Sequence, residues 1–76
     1  MEHCLLVRKN ENSVDLVEVC EEMTEGGTIR HITWADTKDG KTLWRGTTSM
    51  RPENTLLEYV ANRVRHGYFV AGCFSQ

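Results

Sequence analysis

The chain has 76 residues, room for one hydrophobic core, and is expected to form a single α+β domain over residues 1–76. A chain this short buries only about 60–65% of its unfolded surface, which argues against a large internal active-site cavity and for function at the surface. The net charge of −2 excludes nothing by itself, but residues 1–26 hold Glu2, Glu11, Asp15, Glu18, Glu21, Glu22 and Glu25 against Arg8 and Lys9, while residues 27–76 carry an excess of base. Such a split steers partners more than it shapes the fold.

Cys4, Cys20 and Cys73 are odd in number, widely spaced and without a C-x-x-C pair, which points to a reducing compartment and to cysteines acting as small buried hydrophobes. There is no legible charged-plus-apolar leader and no apolar run near 18 residues, so the expectation is a soluble cytoplasmic protein without membrane contact.

In chain order, His3 to Arg8 is apolar on both faces and predicts an interior strand. Residues 13–25, SVDLVEVCEEMTE, admit two readings. On a helical wheel Leu16, Val17, Val19, Cys20 and Met23 fill one arc, with Asp15, Glu18, Glu21, Glu22 and Glu25 opposite, and Gly26 is placed to cap the end. As a strand, the alternation breaks between Leu16 and Val17; in its favour stand three valines and a Glu25-Gly26-Gly27 turn. The helix is the preferred expectation.

Thr28 to Asp36 predicts a strand and Thr42 to Thr47 its hairpin partner. Two registers fit the Asp39-Gly40 turn, one setting Trp34 opposite Arg45 and the other opposite Trp44; a facing tryptophan pair is expected, with the two rings close together in either case. Arg51 to Gly67 predicts the main helix, with Pro52 at its first position, Leu56, Leu57, Val60, Ala61 and Val64 facing the core, and Gly67 as its cap. Tyr59, Arg63 and His66 fall on its outer rim. Tyr68 to Phe74 closes the chain as a strand, and Gly72 marks a bulge or a close backbone approach.

The resulting order is β-α-β-β-α-β, a ferredoxin-like layout with an antiparallel sheet packed on one face by helices. The alternative, if residues 13–25 are extended, is an antiparallel β-meander with a single C-terminal helix and a final strand.

That layout includes the RNA-recognition sheet, but after Arg45-Gly46 the chain reads Thr47-Thr48-Ser49-Met50, with no aromatics to stack bases. His3, Cys4, Cys20, His31, His66 and Cys73 lack structural-zinc spacing, so no metal is expected. No phosphate-cradling loop or assembled nucleophile and base is legible, so neither enzymatic activity nor a cofactor is expected.

The main expectation is a non-enzymatic protein–protein interaction module that inhibits or adapts a larger cytosolic protein. Its contact residues would be Asp15, Glu18, Glu21, Glu22, Glu25, Trp34, Trp44, Tyr59 and Arg63. In size and composition, though by no motif, the chain is similar to phage- or mobile-element-encoded regulators of bacterial machinery. Homodimerisation through a sheet edge is an easy addition. The alternative is a small nucleic-acid-binding domain using a basic tryptophan hairpin of Arg30, Trp34, Lys38, Lys41, Trp44 and Arg45.

Overall fold

A computed structural model describes residues 2–75. It contains strands β1 (Glu2–Lys9), β2 (Ser13–Thr24), β3 (Gly27–Lys38), β4 (Lys41–Met50) and β5 (Phe69–Ser75), with helix α1 (Leu56–Arg65) between β4 and β5. The strands form one antiparallel sheet in the order β4-β3-β2-β1-β5. The ferredoxin-like expectation is therefore corrected: residues 13–24 are a strand, and the meander with a single helix and a final strand describes the fold.

Pairing on both sides is the physical reason. β2 pairs with β1 over residues 14–21 on one side and with β3 over residues 13–24 on the other, without a bulge. Val17 and Val19 are buried on the face that α1 covers, while Val14, Leu16 and Cys20 alternate onto the opposite face. The break between Leu16 and Val17 is thus no irregularity. It is what a strand with apolar residues on both faces looks like.

Two tight turns fix the hairpins. Thr24 pairs with Gly27 across Glu25-Gly26, and Lys38 pairs with Lys41 across Asp39-Gly40. Asp39 and Gly40 both have positive φ (54° and 75°), the type I′ geometry whose twist matches the strands it joins. From this tip the register would bring Trp34 opposite Arg45. A bulge leaves Arg45 unpaired instead, setting Trp44 opposite Ala35 and Trp34 opposite Gly46. Because successive residues alternate faces, the two indoles lie on opposite sides of the sheet and the expected facing pair does not form. At the other edge, Leu5 pairs with Gly72 and Leu6 with Val70, so a bulge at Ala71 lies beside Gly72 as its presence in a strand predicts.

The helix starts later than Pro52 suggests. Thr55 is its N-cap, with Oγ1 accepting from the Glu58 N–H at 3.1 Å and donating to Glu58 Oε1 at 3.2 Å. It ends in a Schellman motif: Gly67 (φ 93°) donates to the Val64 carbonyl and Tyr68 to that of Arg63. Leu56, Tyr59 and Val60 pack on the sheet against Cys4, Leu6, Val17, Val19, Ile32 and Tyr68. Leu57, expected in the core, is 78% exposed, and Val64 is also exposed. The helix is rolled so that the inward stripe runs Leu56, Tyr59, Val60, Arg63, at i, i+3, i+4, i+7.

Two arginines explain the roll. Arg30, 2% exposed, donates from Nε to Glu21 Oε2 at 2.7 Å, from Nη1 to Asn54 Oδ1 at 2.6 Å and from Nη2 to the Asn54 carbonyl at 3.0 Å. Its guanidinium carbon sits 5.1 Å from the Tyr59 ring centroid. At the other end of the helix, Arg8 holds Asp15 through Nε and Nη2 (3.0 and 2.7 Å), donates from Nη1 to the His66 carbonyl at 3.2 Å and stacks on Tyr68. No α1 residue is fully buried, so cation–π and charged hydrogen bonds at both ends fasten the helix where apolar burial is thin.

Cys4 and Cys73 form a disulfide between β1 and β5, leaving Cys20 as the free thiol. Two of the three cysteines are thus paired, and the inference of a reducing compartment from unpaired cysteines loses most of its basis.

Arg30→Met should cost about 3–5 kcal/mol in urea denaturation, because it leaves Glu21 and Asn54 without their partner. Arg30→Lys should not restore the loss, since an ammonium cannot reach both acceptors as a planar fork does. Reducing the disulfide, whose cysteines are 69 residues apart, should remove up to about 4 kcal/mol by the chain-entropy relation, read as a lowered denaturation midpoint.

Candidate nucleic-acid interface

The acidic residues that looked like one helical surface are dispersed by the strand. Asp15 and Glu21 lie on the helix-covered face, opposite and bound to Arg8 and Arg30. Glu18 and Glu22 lie on the open face, with Glu22 Oε1 at 3.3 Å from His31 Nε2, and Glu25 is in the β2–β3 turn. Asp15 is one of two acids, with Asp36, whose surroundings favour the charged form. Hydrogen bonds first from Asn10 and then from Arg8 hold its carboxyl below the usual carboxylate range.

The β3–β4 hairpin is organised differently. Trp34, 40% exposed, leans across the strand onto Gly46, where an added Cβ would come within 2.8 Å of the ring. Glycine is thus needed at position 46 for the indole to lie flat over its neighbour. Trp34 also borders a groove of about 410 Å³ between the hairpin and the helix, with Val17, Ile32 and Met50 on its apolar side and Arg63 and Tyr68 opposite. Trp44 projects from the other face and is 64% exposed.

The cations sort just as clearly. Arg30, counted with the basic hairpin by sequence, is buried and committed to Glu21 and Asn54. The bulged Arg45 donates to both carboxylate oxygens of Asp36 at 2.7 and 3.1 Å, which lowers the Asp36 pKa and raises that of Arg45. Lys38 and Lys41 flank the exposed tip and make no ion pair among the described residues. Arg63 donates to the Tyr59 hydroxyl at 3.1 Å and stacks over the rings of both Tyr59 and Tyr68. Tyr59, expected on the outer rim, is half-buried beneath Arg30 and Arg63.

Sequence reasoning missed a cross-strand chain on the open face. Ser49 Oγ lies 2.7 Å from His31 Nδ1, whose Nε2 faces Glu22. The residue types are those of a nucleophile, base and orienter, but they lie on an exposed, pleated surface away from the grooves at the helix. Cys20 shares that face, and burial, then Glu18 and Glu22, push its thiol pKa up, away from the reactive thiolate. Among the described residues no group of three His, Cys, Asp or Glu side chains could hold a metal ion, and no helix is long and apolar enough to cross a membrane.

No family model matches the chain, and no curated protein or solved structure matches it.

Asp15 has a folded-state pKa below its unfolded value, so its stabilisation is fully present above the unfolded value and is lost as pH falls through the folded one. Chemical denaturation between about pH 5 and pH 2 should therefore show stability declining from roughly pH 4 downwards, and Asp15→Asn should flatten that decline. An unchanged slope in the variant would show that Asp15 is not the group responsible.

Proposed function

We propose that the chain is a small, non-enzymatic nucleic-acid-binding domain that works through the β3–β4 hairpin. The observation that carries this reading is the projection of Trp44, more than half exposed, from the open face of a hairpin whose exposed tip carries Lys38 and Lys41, cross-strand partners on the Trp34 face with no acidic partner among the described residues. An exposed indole offers a stacking platform to any base, and the two lysines meet the phosphates of a strand that passes around the end of the hairpin. Such recognition tolerates many sequences, because every base has a π face and the cations read only the backbone. Of the acids in the first third, Asp15 and Glu21 are neutralised by arginines on the far side from Trp44, while Glu18 and Glu22 share its face and oppose phosphate there.

The apolar side of the groove supports a second reading, the protein-interaction module of the sequence analysis. Val17, Ile32, Trp34 and Met50 would receive an apolar side chain of a larger protein. The two readings use different tryptophans, Trp44 on the open face and Trp34 on the covered one, so single substitutions separate them.

Fluorescence anisotropy with a labelled single-stranded oligonucleotide at low salt should show binding that weakens steeply as salt rises. Trp44→Ala should cost about 1–3 kcal/mol of that binding. Lys38→Glu with Lys41→Glu should weaken it further and flatten the logarithmic salt dependence by roughly 0.7 for each phosphate no longer neutralised. Absence of binding at low salt, or binding indifferent to Trp44 and sensitive to Trp34 and Met50, would favour the groove instead.

A further inference from the structure

We infer that β5 is the interface of a homodimer, pairing antiparallel with β5 of a second copy across a twofold axis at Cys73. Both β4 and β5 are edge strands, and they are guarded differently. β4 carries Lys41 and Arg45, charges of the kind that discourage pairing with another strand. β5, FVAGCFS, has no charged residue and no proline, and Phe69, Val70 and Phe74 are exposed along it.

The backbone of β5 is turned for pairing. Cys4 and Cys73 face each other with Cα atoms 4.1 Å apart, the spacing of a narrow, non-hydrogen-bonded pair. The N–H and C=O of Cys73 therefore point away from β1, and by the period-two alternation so do those of Ser75. The disulfide holds this edge against β1, so little ordering entropy remains to be lost on association.

The occupant follows from the side chains. With Cys73 paired to its own symmetry mate, Phe74 of each copy lies opposite Gly72 of the other, in a narrow pair where side chains approach most closely. Apart from its chain neighbours, nothing lies within 4 Å of the position a Cβ would take at Gly72, so the partner's Phe74 ring, which stacks on His3 of its own chain at 5.0 Å, has a vacant seat to turn into. The chain already makes this arrangement once, where Trp34 covers Gly46 across β3 and β4. A foreign strand would need its own aromatic residue two places from a matching small one; a second copy brings both.

Twofold pairing in the plane of the sheet yields ten strands in the order 4-3-2-1-5-5-1-2-3-4, with both helices on the same face. The two tryptophan hairpins then stand at opposite ends, on the order of 43 Å apart at nine interstrand spacings.

Sedimentation equilibrium of the intact, oxidised chain over roughly 1 µM to 1 mM should show mass rising towards twice 8.7 kDa. Gly72→Lys should abolish the rise while leaving thermal unfolding of the monomer in place, since the position is open, and Lys41→Glu on the other edge should not affect it. In the unmodified protein the Cys73 and Ser75 amides should become protected from hydrogen exchange as concentration increases. A monomer at every concentration, a dimer that survives Gly72→Lys, or rapid exchange of both amides at the highest concentration would overturn the inference. So would protection of those amides only when another polypeptide is added, which would assign the edge to a foreign strand.

Discussion

A charged guanidinium almost sealed from solvent is tolerated in so small a core only if the groups around it replace its lost hydration. Arg30 meets that condition with Glu21 on one side, two oxygens of Asn54 on another and the ring of Tyr59 above. Because those partners sit on β2, on the segment entering the helix and on the helix itself, one side chain ties three parts of the chain together. The late start of α1 is consistent with the same contact, since Asn54 offers both its carbonyl and its side chain to Arg30 before Thr55 caps the helix.

The rest of the architecture follows from how little apolar surface the helix buries. Arg8 repeats at the C-terminal end what Arg30 does at the start, and Arg63 lies between them over two tyrosines. A helix fastened by cations leaves Leu57 and Val64 exposed and a groove open beside Trp34. The opposite face of the sheet has no helix over it, and there Trp44, Leu5 and Phe74 are exposed. The covered face is mainly concerned with folding, and most of the surface free to meet a partner lies on the open face and at the two edges.

Much of this was legible in the residues. The strands around residues 3–8, 28–36, 42–47 and 68–74, the Asp39-Gly40 turn, the helix cap at Gly67 and the irregularity at Gly72 were each signalled by local chemistry. The error at residues 13–24 came from expecting a strand to have only one apolar face. Leu16, Val17, Val19, Cys20 and Met23 satisfy a helical arc, the same stretch with Val14 satisfies a two-sided strand, and only the presence of a neighbour on each side decides between them. Counting acids on that supposed helix then created a surface that the strand takes apart.

By itself the sequence determined the local elements, since turn residues, caps and β-branched runs act within a few positions. Tertiary structure alone decided which side chains meet. Whether Trp34 faces Arg45 or Gly46 depends on one bulged residue, Arg45, held to Asp36. Whether Arg30 is a free cation or a buried clamp depends on Glu21 across the sheet and Asn54 far along the chain. Whether Cys4 and Cys73 are lone thiols or a bridge depends on β5 returning beside β1. Each is a long-range pairing, and spacing along the chain carries no record of distance in space.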